Sequence, residues 1–235
     1  MTHLDIELKN LKSELIEMFE LVKNQLEKSK LSLVNLDKDL AREVMVNERR
    51  INGFELKVDR DCENIIALMN PVAVDLRFVL AALKINSNLE RVGDIADGIA
   101  RFVLDIKMDV EKDLLKSTRI IEMFEVSNSM LHDVMRAFEK EDTSLARSVF
   151  KKDETLDEIN AAANAAVAEF IKNHTDRINQ SLYTLSAIRK LERVGDQCKN
   201  IAEEIIFYVE AKVLKHKTNA QKLETDNERD SPFHV

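Results

Sequence analysis

The sequence predicts an all-α fold: two tandem, pseudo-symmetric three-helix up-down bundles made from six long helices. Three observations carry the prediction. Apolar residues recur at helical spacing almost throughout. Glycine and proline supply only 4 and 2 of the 235 residues, where average usage gives roughly 28, so a β-sandwich or barrel would lack its turn residues. The hexapeptide Leu-Glu-Arg-Val-Gly-Asp stands twice, at 89–94 and 191–196, 102 residues apart. The same offset aligns Leu80 with Leu182, Leu83 with Leu185, Ile99 with Ile201 and Ala100 with Ala202. Such self-similarity marks a duplicated three-helix unit.

The apolar period predicts helices over about 4–36, 38–69, 72–110, 113–139, 143–172 and 176–214. Asn70-Pro71 fixes the turn between the second and third, because proline cannot occupy a helix interior. Asp142-Thr143 gives a turn with an N-cap acid, and Asn173-His174-Thr175 gives another. Phe19, Phe54, Phe78, Phe124, Phe138 and Phe170 fall at helical spacing and are assigned to the core. The segment from Lys217 is polar, carries Pro232 and has no apolar period. The expected organisation is a first repeat over 1–110, a second over 111–215 and a disordered polar tail over 216–235.

Composition excludes several functions. The net charge is −8 and no basic stripe is visible, against nucleic-acid binding. No run of about 18 apolar residues predicts membrane insertion, and Met1-Thr2-His3-Leu4-Asp5 lacks a signal-peptide core. Cys62 and Cys198 have neither disulfide-framework nor metal spacing. A reduced, cytoplasmic setting is expected. Glycine-rich phosphate loops are absent. None of the five histidines follows a glutamate by three, so a ferritin-like di-iron centre is not built. No Ser-His-Asp or Cys-His set can be assembled, and the expectation is a protein that is not an enzyme.

What remains is acidic. In the second predicted helix Val44, Glu48 and Ile51 follow one another at spacings of four and three, and in the fifth Val149, Asp153 and Leu156 do the same. Each acid interrupts an apolar stripe. Asn52 and Asp157 follow four residues later, then Glu55 and Asp59 in one repeat and Asn160 and Asn164 in the other, all along one helix face. Antiparallel neighbours turning at Pro71 set Glu48 level with Asp94 and Asn52 level with Glu90. A turn at His174-Thr175 sets Asp153 level with Asp196 and Asp157 level with Glu192. Two clusters are therefore predicted: Glu48, Asn52, Glu90 and Asp94, and Asp153, Asp157, Glu192 and Asp196. Gathered carboxylates repel, and burial raises that cost unless a cation compensates it. An all-oxygen set suits a divalent or transition metal: iron, zinc, manganese or magnesium. The second cluster counts four carboxylates against three, which predicts tighter binding there. Two other readings stay open: a structural helical adaptor whose acids are merely solvated, and a metal-dependent phosphohydrolase.

From about residue 5 to residue 212 the sequence resembles the PhoU family of phosphate-homeostasis regulators. Pro71-Val-Ala-Val-Asp-Leu-Arg77, Leu83-Lys-Ile85 and Leu89-Glu-Arg-Val-Gly-Asp94 carry the likeness in the first repeat. Leu191-Glu-Arg-Val-Gly-Asp196 and Asn200-Ile-Ala-Glu203 carry it in the second. The resemblance implies metal clusters on paired acidic motifs, here Glu48 to Asn52, Glu90 to Asp94, Asp153 to Asp157 and Glu192 to Asp196. It adds Asn200, and Asp97 beside Gly98 where relatives often carry asparagine. It implies negative regulation of phosphate uptake through the ATPase of the phosphate ABC transporter and the sensor histidine kinase of the phosphate regulon. It also implies a homodimer, and that any place at the inner membrane is peripheral, through partners.

Overall fold

The computed structural model describes residues 2–214. The predicted polar tail lies outside them. Seven α-helices follow one another: α1 (His3–Asn35), α2 (Lys38–Met69), α3 (Val74–Asp105), α4 (Lys112–Ser117), α5 (Ile120–Lys140), α6 (Thr143–Asn173) and α7 (Ile178–Glu210), with a 3-10 turn at Thr175–Arg177 before the last. Three of the starts, those of α1, α2 and α6, are capped by side chains. Thr2 and Asp5 form a reciprocal capping box on α1, Asp37 accepts from the Asp39 and Leu40 amides, and Asp142 accepts from the Leu145 amide. Side-chain caps of this kind satisfy amides that lack a partner within the helix. Asn70 closes α2 in the left-handed conformation at φ 48°, and Pro71 prevents continuation.

Helices α1, α2 and α3 pack as one bundle, and α5, α6 and α7 as the other. The bundles join where α3 lies on α7 and α1 on α5. Phe19, Phe78, Phe138 and Tyr208, one from each joining helix, pack against one another at centroid distances of 5.5–6.2 Å, Phe78 stacked on Phe138 and Tyr208 edge-on to both. One main apolar core therefore runs through both repeats, with Leu114, Val167 and Phe170 in a small separate cluster. Burying each such side chain contributes about 1.5–3 kcal/mol, and the two units share it.

Three boundaries differ from the sequence expectation. The predicted helix over 113–139 is two helices, α4 and α5, broken at Thr118-Arg119. Arg119 takes a left-handed φ of 54°, and its guanidinium holds Glu122 at 2.8 Å and Glu158 at 2.6 Å. The third helix ends at Asp105 rather than 110. Its continuation is a loop held from the 3-10 turn before α7, where Arg177 donates to the Asp109 carbonyl at 3.0 Å and pairs with Glu111 at 2.8 Å. The last helix ends at Glu210, because Ala211 turns left-handed and caps the Phe207 carbonyl.

Candidate functional site

The α2–α3 pair brings the first acidic cluster together. Glu48 replaces an apolar residue on the inner face of α2 and is only 8% exposed. Both its carboxylate oxygens are buried without a hydrogen bond. Gly93 on α3 makes the room: a Cβ there would lie 3.2 Å from Glu48 Oε2 and 2.7 Å from Ile51 Cδ1. Burial pushes the Glu48 carboxyl up to about 7, and the charges of Asp94, Asp97 and Glu90 push the same way against Arg101. Glu90 is also raised to about 7, by burial, by Asp94 and Glu55, and by a hydrogen bond with Asp94. Asp97 is buried at 8% exposure and accepts from Arg101 Nε at 2.6 Å. Asn86 fixes the lower edge, donating to the Glu55 carbonyl at 2.9 Å and Asp59 Oδ1 at 2.8 Å. Asn52 faces solvent.

The α6–α7 pair repeats the plan with one change. Asp153 is 1% exposed, and Gly195 makes its room: an added Cβ would lie 2.7 Å from Asp153 Oδ1 and 2.6 Å from Leu156 Cδ1. Asp157 is exposed, and Glu192 and Asp196 are half-buried. Here, however, Lys199 reaches in. Its Nζ stands 2.5 Å from Asp153 Oδ2 and 2.9 Å from Asp196 Oδ1. Burial opposes its charge, yet the two carboxylates hold the ammonium pKa well above its ordinary value. Burial raises the Asp153 carboxyl even against this lysine. It raises Glu192 too, with Asp196 and Asp157 adding to the effect. Counting acids alone omits Lys199. The signal that finds it is its place three residues after Asp196, one helical turn along the same face.

Asn200 is turned away from this cluster and donates to Asn88 Oδ1 on α3 at 3.3 Å. The duplication maps that contact onto Lys190 and Gly98. The missing side chain at Gly98 lets Lys190 pass over it, with Nζ 5.8 Å from the centre of the Phe102 ring. Cys198 lies buried near Asp153, and burial pushes its thiol far up. Cys62 is raised to about 12 for the same reason, so neither is poised as a nucleophile. Among the described residues, no group of three or more His, Cys, Asp or Glu side chains is placed so that it could hold a metal ion as the side chains stand. The donors at the first cluster still fit a hard cation chemically: they are oxygens, and Glu48 supplies two buried, unpartnered ones.

The sequence model of the PhoU domain matches residues 15–103 and again residues 120–205. The chain belongs to the PhoU family. Each match covers one three-helix bundle, so the PhoU domain occurs twice. The chain is 33% identical over 225 residues to the phosphate-specific transport system accessory protein PhoU of Edwardsiella tarda, covering 95% of this chain and 92% of that one. It is 31% identical over 210 residues to the protein of the same name from Escherichia coli (strain K12), covering 89% and 86%. The crystal structure of PhoU from Pseudomonas aeruginosa superposes with a TM-score of 0.80 at 29% identity, over 88% of this chain and 99% of that one. The phosphate transport system regulatory protein PhoU from Streptococcus pneumoniae superposes at 0.77 and 31% identity, over 90% and 99%. No described helix is long and apolar enough to cross a membrane.

Proposed function

We propose that this PhoU-family chain is a cytoplasmic, non-enzymatic regulator of phosphate transport that lowers phosphate uptake and phosphate-regulon signalling when phosphate is plentiful. The observation that carries the reading is the double family match on a fold that covers nearly the whole of two solved PhoU chains. Its partners would be the transporter ATPase and the sensor histidine kinase, met through helix faces. A divalent cation at the carboxylate clusters belongs to the same reading. It would neutralise acids that α2–α3 and α6–α7 bury at a cost, stiffening the face offered to a partner. Glu48, Glu90, Asp94 and Asp97 are the residues that would hold it in the first repeat. The buried Glu48 and Asp153 weigh against the adaptor reading, in which the acids are solvated.

Deleting the gene from its host tests the role. The expected result is raised phosphate uptake and phosphate-regulon reporter output in high phosphate, both restored by the full chain. Unchanged uptake and reporter output in the deletion strain would overturn it.

A further inference from the structure

The two clusters descend from one duplicated unit but no longer carry the same charge. The offset of 102 places Lys199 where the first repeat has Asp97. One position therefore turns an acid of the first cluster into a base of the second. We propose that the chain takes a single divalent cation, at the α2–α3 cluster, and that Lys199 is the built-in counter-ion that closes the α6–α7 cluster to a second.

Lys199 Nζ bridges an acid of α6 and an acid of α7, at 2.5 Å and 2.9 Å. A cation linking the two helices would have to occupy that same place, with oxygens at about 2.0–2.6 Å. The lysine side chain is only 19% exposed, so an entering ion must expel it or sit against its charge. Among the described residues, the first cluster has no such bridge between its two helices. Its neighbouring base, Arg101, is 59% exposed and engages Asp97 alone. Glu48 and Asp153 are both more than nine-tenths buried with neither carboxylate oxygen in a hydrogen bond, but Asp153 has the Lys199 ammonium at 2.5 Å, whereas Glu48 makes no ion pair among the described residues and stands among the like charges of Asp94, Asp97 and Glu90. Counting acids alone leads to the opposite expectation, tighter binding at the second cluster.

The inference rests on the cation reading above and is independent of the phosphate role. Its test is manganese stoichiometry on tag-free full chain, stripped with chelator and dialysed against Mn2+ alone. Bound metal is read by elemental analysis and free Mn2+ by electron paramagnetic resonance. Wild type is expected to hold one ion. Asp94→Asn, at an exposed position, should weaken that binding at least tenfold, while Asp196→Asn should leave the count at one. Lys199→Met should raise it to two. Two ions in wild type, or a loss in Asp196→Asn with Asp94→Asn unaffected, would overturn the asymmetry and leave the cation reading standing. No bound manganese in any of the four proteins would sink both. The two aspartate variants decide the matter even where Lys199→Met fails to fold.

Discussion

Three glycines on long helices carry opposite expectations, because what surrounds each differs. Glycine inside a helix costs about 1 kcal/mol relative to alanine. At Gly53 on α2 an added Cβ meets nothing within 4 Å, so Gly53→Ala should stabilise by about 0.5–1 kcal/mol in urea denaturation. At Gly93 and Gly195 the same Cβ meets a packed Ile51 or Leu156 at 2.7 and 2.6 Å. Overpacking of that kind costs about 1–3 kcal/mol, enough to outweigh the gain in propensity, and both alanines should destabilise. Gly195→Ala should be the worse, because its Cβ also comes within 2.7 Å of Asp153 Oδ1, on a carboxylate already tethered by Lys199. Equal effects at all three positions would show that the close approach does not hold. A related expectation concerns Glu48. In chelator at neutral pH, Glu48→Gln should stabilise by about 1–2 kcal/mol, since an amide removes a buried, repelled charge and can donate to the acids around it. A loss of stability there would mean that the Glu48 charge is compensated in the metal-free protein.

At the level of elements, the ends of α6 and α7 are clamped by charge. Arg147, near the start of α6 and 5% exposed, grips Glu210 at the end of α7 with two hydrogen bonds of 2.7 and 2.9 Å. The guanidinium holds the Glu210 carboxyl down to about 2 from an ordinary 4.5, against the opposing effect of burial. The sign follows from linkage: a depressed carboxylate favours the fold fully above the unfolded-state value and loses that support as pH falls toward about 2. Screening at the partly exposed Glu210 leaves a contribution of about 1–2 kcal/mol. Wild type should therefore lose that much more stability than Glu210→Gln between pH 5 and pH 2.5, and parallel curves would refute the clamp. Elements are also where the sequence was most and least legible. The α2–α3 and α6–α7 registers follow from Pro71 and His174-Thr175 with the duplicated acids, and Gly93 meets Glu48 as Gly195 meets Asp153. Those are consequences of periodicity and turn position. The break at Arg119 was not legible, because neither glycine, proline nor asparagine marks it. What holds it is a bridge to Glu158 on another helix. The Asn88–Asn200 and Lys84–Glu204 contacts between α3 and α7 were hidden for the same reason: they join residues more than a hundred positions apart.

The whole molecule differs from two beads on a string because its repeats share one core. Phe19 and Phe78 of the first repeat pack against Phe138 and Tyr208 of the second, and the buried apolar residues of both form one contiguous cluster, apart from Leu114, Val167 and Phe170, which form a small separate one. The seam has a polar side too, where Lys84 reaches the buried Glu204 at 3.0 Å. Separating the bundles would expose that glutamate's surroundings and the aromatic stack together, so neither unit can open at the seam without a large cost. Cooperative unfolding of the full chain is expected: one transition, coincident by helical signal and by hydrogen exchange in both repeats. Phe138→Ala tests this more sharply than wild type does. Removing a fully buried phenylalanine costs about 3–5 kcal/mol, and the ring sits in the second repeat while touching two rings of the first or its seam helix. If the core is shared, exchange in α2, which belongs to the first bundle, should accelerate as much as exchange in α6. Acceleration confined to α5, α6 and α7 would mean that each repeat folds alone. A cation held at α2–α3 would then stabilise the first bundle only, whereas in a shared core one ion, bound far from α6, raises the stability of the entire chain.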